Sequence, residues 1–253
     1  MILATVNNKG GVGKTSLTIN MGHALANKGK KVLIIDADPQ ANATSILLPN
    51  TEPENSLYEL YSGGIDVASC IYATPYERMD ILPTVEATAS LEPKLYENLQ
   101  ESYLIIKNKV RGYALKNYDF VIVDCPPTMG LWVMMALSAS DAVICPVLAG
   151  SRFALKGLTA TYDAITALSQ TVNTDLKFLR TLINSVDMRE SVTKLTVDHI
   201  KRHFEGKCFD TLIPRSTVIQ QSEMKLLTVI RHAPESTASK RFRLLADEIL
   251  ALV

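Results

Sequence analysis

The run VNNKGGVGKTS, residues 6–16, gathers the residue types that bind phosphate. Gly10, Gly11, Val12 and Gly13 make a turn of little bulk whose backbone N–H groups stand open to an anion. Lys14 adds an ammonium able to reach the β and γ phosphates of a nucleotide, and the Thr15 hydroxyl is a hard oxygen ligand for Mg²⁺. The strict spacing G-x-x-x-x-G-K-[ST] fails at its first position, where Asn8 stands, and a second lysine, Lys9, follows directly. Two acidic segments suit the same chemistry. LIIDADPQANAT closes an apolar run with Asp36 and Asp38, and FVIVDCPP closes another with Asp124. In an open parallel sheet the strand C-termini meet at the ligand crevice. The three carboxylates are therefore expected at a Mg²⁺–phosphate centre, with Asp124 holding metal-bound water.

Such groups need strands to deliver them and helices to receive them. MILATV, KKVLIID, MDILP, DFVIVDCPP, DAVICPV, LKFLRTLIN and FDTLIP are short, Val/Ile-rich runs that read as buried strands. Segments of helical period lie between them. The stretch 15–29 puts Leu17, Met21 and Leu25 on one face and stops at Gly29. Residues 159–170, 191–206 and 237–253 repeat the pattern, the last with Phe242, Leu245, Ile249 and Leu252 as its apolar face. Alternation of this kind predicts an α/β fold, a doubly wound, mostly parallel sheet flanked by helices, and the glycine loop between the first strand and its helix adds the P-loop type. No repeat or linker divides the chain, so residues 1–253 are expected to form a single domain.

Composition narrows the function classes. With 47% apolar and 21% charged residues the chain has ordinary globular character. No apolar run approaches the roughly 20 residues that span a bilayer, and the N-terminus lacks a secretory pattern. Cys70, Cys125, Cys145 and Cys208 form no close pair, which favours free thiols in a reducing cytoplasm. The zero formal charge is uneven. Residues 1–176 hold 13 basic and 17 acidic side chains, and residues 177–253 hold 13 and 9. A polyanion would dock at the basic end.

Taken together, Lys9 in KGGVGKTS, DADPQANAT and FVIVDCPP resemble the deviant Walker A ATPases of the ParA/Soj/MinD group, closest to the Soj-like partitioning ATPases. SLYELYSG, ALSASDAVICPV, LINSVDMRES and IPRSTVIQQSE extend the resemblance over nearly the whole chain. It implies an ATP- and Mg²⁺-dependent sandwich homodimer in which Lys9 reaches the phosphates bound by the other subunit, acting like an arginine finger. A lysine folded back on its own nucleotide stays open as the simpler arrangement. The resemblance further implies that Asp38 positions the attacking water and that Asp36 lies near the metal shell. Ser16 would meet the α-phosphate, and Asn184 and Pro214 would hold adenine. Hydrolysis is expected to be slow without a partner.

For the ParA-type reading, the resemblance places non-specific DNA on Arg189, with Arg215 after LIP beside it; the basic side chains of Lys194, Lys201, Arg202, Lys225, Arg231, Lys240 and Arg241 are expected to supplement them. Soj-like sequences carry a further arginine where this chain has Val218. The stimulating partner would be a ParB-like or other adaptor protein, and the ATP form would sit on the nucleoid. The chain begins at its first strand, so no helix-turn-helix domain is expected. Nor is an appended membrane helix, which sets the reading apart from a MinD-like membrane switch. A positioning ATPase for a protein cargo is a further alternative. A cluster-bearing reductase or a synthetase is the metabolic one, for which Cys125 and Cys145 are the relevant thiols.

Overall fold

The computed structural model describes residues 1–151 and 153–253. One seven-stranded sheet runs in the order β3-β4-β2-β5-β1-β6-β7. Its strands are β1 (Ile2–Thr5), β2 (Val32–Asp36), β3 (Tyr72–Ala73), β4 (Met79–Leu82), β5 (Phe120–Asp124), β6 (Ala142–Leu148) and β7 (Lys177–Asn184). All neighbours are parallel except the short β3, which pairs antiparallel with β4. Every residue of β1, β2 and β5 is buried, which is why these strands read as unbroken apolar runs.

The helices are α1 (Lys14–Ala26), α2 (Asn42–Leu47), α3 (Leu57–Ser62), α4 (Glu92–Tyr96), α5 (Leu99–Tyr103), α6 (Gly112–Asn117), α7 (Leu131–Ala139) and α8 (Ala154–Ser169). After them come α9 (Ser191–His203), α10 (Thr217–Met224), α11 (Val229–His232) and α12 (Thr237–Leu252). The first, eleventh and twelfth pack together on one face of the sheet, where Leu17, Met21 and Leu25 meet Phe242, Leu245 and Ile249. The α3–α7 region covers much of the other face, and α8 and α9 cover that face at the β7 end. Thus both faces of the sheet are buried.

Three sequence expectations change. FDTLIP is not a strand. It runs beside β7, donating Phe209 N–H to Thr181 O and Ile213 N–H to Ile183 O, but pairs only through isolated bridges. The seventh strand is β3, too short for a periodic signal. The helix expected over 15–29 is buried nearly all round rather than on one face, because α11 and α12 cover the side turned away from the sheet. Finally, Leu252 is 38% exposed while Phe242, Leu245 and Ile249 are fully buried, since the last turn of α12 extends past the core.

Candidate nucleotide site

Register brings the acidic strand ends together. Thr5 pairs with Asp124, and Asp36 pairs with Asp124, at the C-terminal edge of β1, β5 and β2. The chain leaves β1 there and turns into α1. Asn7 fixes the mouth of this loop, its Nδ2 donating to Pro146 O (2.8 Å) and its Oδ1 accepting from Lys9 N (2.9 Å). Gly13 ends the loop at φ 90°, and its carbonyl accepts the first helical bond, from Leu17 N (2.8 Å). A free helix N-terminus facing the strand ends is an anion site by construction.

Two compartments open side by side over the loop. The first, about 430 Å³, is lined by Lys14, Thr15, Asp38, Gln40 and Asn42. The second, about 320 Å³, is lined by Leu148, Asn184, Pro214, Ile219 and Gln220. Gly11, Gly13, Ser16 and Glu223 border both. The expected phosphate and adenine residues therefore line one cleft, divided by Ser16 and Glu223.

Charge at the phosphate end is buried. Lys14 is 7% exposed and its Nζ donates to Lys9 O at 3.3 Å. Burial lowers its pKa, opposed by the carboxylates of Asp124 and Asp38. Asp124 is wholly buried; burial and then the neighbouring Asp36 raise its pKa, while the nearby Thr15 hydroxyl and the charge of Lys14 lower it. Its Oδ1 accepts from Thr18 Oγ1 (3.4 Å), whereas among the described residues its Oδ2 and the buried Ser16 Oγ have no hydrogen-bond partner. Two orphaned buried polar atoms facing a phosphate loop fit a magnesium–nucleotide ligand, the oxygen taking metal-bound water and the hydroxyl a phosphate.

Asp36 and Asp38 differ in their surroundings. Asp36 Oδ2 accepts both the N–H and the hydroxyl of Thr44 (2.7 Å each), and its Oδ1 accepts Asp38 N at 3.3 Å. Asp36 thereby anchors α2 and orients the segment that carries Asp38. Asp38 Oδ1 accepts Gln40 N (3.0 Å), and the residue lines the phosphate compartment. Among the described residues no group of three His, Cys, Asp or Glu side chains forms a self-sufficient metal cage. Mg²⁺ commonly relies instead on few protein ligands, with water and phosphate completing its shell.

Lys9 is exposed, and its Nζ donates to Ser151 Oγ at 3.0 Å. Asn184 Nδ2 donates to Val12 O (2.9 Å), joining the end of β7 to the phosphate loop. No motif marks Ser151, and Asn184, expected at the adenine, also bonds the phosphate loop, a contact that spacing along the chain does not reveal.

The basic residues expected to hold DNA are exposed or partly so, but they do not form one patch. Lys194, Lys201 and Arg202 ride on α9, which packs with α8, while Arg231, Lys240 and Arg241 follow α11 and α12 on the opposite face. Lys225 caps α10. The two principal arginines are already paired. Arg189 grips Asp187 through Nε (2.8 Å) and Nη2 (2.6 Å), and Arg215 Nη1 reaches Glu190 at 3.0 Å. Val218 packs against the core and offers a polyanion nothing.

The AAA domain family matches residues 1–178. The sporulation initiation inhibitor protein Soj of Bacillus subtilis is 34% identical over 99% of this chain and 98% of its own length. The chromosome partitioning protein ParA of Caulobacter vibrioides is 31% identical, over 99% and 94%. The chain belongs to the Soj/ParA family of P-loop partitioning ATPases. Among solved structures, the cobyrinic acid a,c-diamide synthase of Mycobacterium smegmatis with bound ADP and magnesium superimposes on this Soj/ParA-family chain with a TM-score of 0.83. It is 27% identical over 98% of this chain and 93% of that one. No described helix of this family member is long and apolar enough to cross a membrane.

Proposed function

We propose that this chain, acting as one unit over residues 1–253, is a Soj/ParA-type ATPase. Its ATP-bound form pairs with a second copy, binds DNA without reading sequence, and lets go when an adaptor protein speeds hydrolysis. The observation that carries this reading is the disposition of the two lysines. Lys14 is buried against Asp124 beside the phosphate loop, whereas the exposed ammonium of Lys9 is held by Ser151. A cation held outward by a hydroxyl is available to a facing anionic site, and supplying it there offsets the repulsion between two nucleotides.

In this mechanism Lys14 and the loop N–H groups hold the phosphates, with Ser16 Oγ satisfied by the ligand. Thr15 and Asp124 would hold Mg²⁺, which supplies charge neutralisation at the phosphates. Asp38 orients the water, and Asp36 keeps Asp38 in place through its bond to the Asp38 N–H. Arg189 and Arg215 hold DNA phosphates, so binding weakens as salt rises. The near-full-length identity to Soj and ParA supports this reading over the amide-forming chemistry of the structural neighbour.

Sizing and DNA retention with ADP, ATP and a slowly hydrolysed ATP analogue test the proposal. A dimer that retains DNA only with the triphosphate is the expected result. Asp38→Ala should stay dimeric with ATP and fail to turn over. A wild-type chain that stays monomeric with the analogue would refute the proposal.

A further inference from the structure

Resting on the nucleotide reading above, we propose that Glu223 reads the sugar of the bound nucleotide, its carboxylate accepting hydrogen bonds from the ribose 2′ and 3′ hydroxyls. Of the side chains on the elements beyond β7, it is the one that borders both compartments of the cleft. A nucleotide whose phosphates lie by Lys14 and whose base lies by Asn184 and Pro214 must pass its ribose across that border. The other residues there are Gly11 and Gly13, which have no side chain, and Ser16, whose hydroxyl sits at the start of α1. This leaves Glu223 as the polar group available to a vicinal diol.

Three further observations agree. Glu223 is half-buried, and among the described residues it has no ion-pair partner. It occupies the last turn of α10, where the helix dipole does not favour a carboxylate, so its placement costs stability unless a donor ligand meets it. The backbone that carries it is fixed. Ser216 caps the start of α10, buried Ser222 bonds Ile219 O, and Leu227 N closes onto Ser222 O at 2.9 Å. A carboxylate on a rigid element suits a hydroxyl pair, because it accepts two bonds and cannot donate.

Calorimetric titration of ADP, 2′-deoxy-ADP and 3′-deoxy-ADP with Mg²⁺ into wild-type, Glu223→Gln and Glu223→Ala chains decides the matter. Wild type should bind ADP about five- to twenty-fold more tightly than either deoxy form, the span of a charge-assisted hydrogen bond at a half-buried site. In Glu223→Ala that preference should collapse to within about twofold, with Glu223→Gln between, since removing the protein group and removing the ligand group delete the same contact. Unfolding of the ligand-free variants at the wild-type midpoint shows that folding is intact. An unchanged ADP-to-deoxy ratio in Glu223→Ala overturns the inference and leaves the nucleotide reading standing. So does equal tightening of all three ligands, which would mark Glu223 as a phosphate-repelling charge. A wild-type chain that binds no ADP overturns both.

Discussion

Gly13 shows how far a single residue can be constrained in this cleft. Its φ of 90° lies where an L side chain is strained, and a Cβ there would stand 2.4 Å from Asn184 Nδ2. Gly13→Ala should lose about 1–3 kcal/mol of stability by chemical denaturation and should break the Asn184–Val12 link, weakening ADP binding. The arginines set up the opposite kind of test. Asp187 and Glu190 occupy in cis the guanidinium groups that DNA phosphate would need. The bond from Arg189 holds the Asp187 carboxyl well below the usual range. Asp187→Asn and Glu190→Gln should therefore strengthen DNA retention by the ATP form, whereas Arg189→Ala and Arg215→Ala should weaken it. Each lost arginine should reduce the slope of log affinity against log salt by about one. Retention that ignores all four changes would place the DNA surface elsewhere.

At the scale of elements, α1 is the junction. It begins in the phosphate loop and is pinned at mid-length to the segment around α11. His23 Nδ1 lies 2.6 Å from Thr228 Oγ1, the His23 and Tyr76 rings sit 4.5 Å apart, and Asn20 Oδ1 accepts Val229 N at 2.7 Å. Burial first, then Arg243 and Arg231, push the His23 pKa down from 6.5 to about 4. The imidazole therefore stays neutral in the fold but takes a proton in the unfolded chain between those values. The unfolded state binds more protons there, so this contribution is present above pH 6.5 and is lost as pH falls toward 4. Unfolding in urea at pH 7 and pH 5 should show about 2 kcal/mol of loss from this residue. Asp36 and Asp124, with raised pKa values, act in the opposite sense, so the quantity to compare is wild type minus His23→Gln. A difference that does not change with pH would show that His23 is not the titrating pin.

Across the whole molecule, zero net charge conceals a polar arrangement. Residues 51–103 carry ten acidic and two basic side chains. They build α3–α5 and the β3–β4 end of the sheet, while the basic excess follows β7 and the last four helices. A polyanion is steered toward the β7 end and away from the other, an effect that fades as salt shortens the Debye length. Dimerisation belongs to the same scale, because it asks for a group from one copy at the cleft of another. Lys9→Ala should melt like wild type, since its ammonium is exposed and, among the described residues, bonded only to Ser151, yet should stay monomeric on sizing columns with the ATP analogue. Normal pairing by that variant would remove the trans role of Lys9.

The sequence alone determined what depends on neighbours along the chain. The phosphate loop, the strands that deliver Asp36 and Asp124, and α1 behind the glycines all follow from local chemistry and hydrophobic period, which need only a dozen residues to register. The tertiary structure decided the contacts between distant segments that no motif marks. Lys9 meets Ser151, Asn184 meets the Val12 carbonyl, and Glu223 comes to line the same cleft as Ser16. It also demoted FDTLIP to a flanking segment and split the basic residues between two faces. Periodicity records which side of an element is buried, but not which element covers it, and a polar side chain's partner is chosen by that covering.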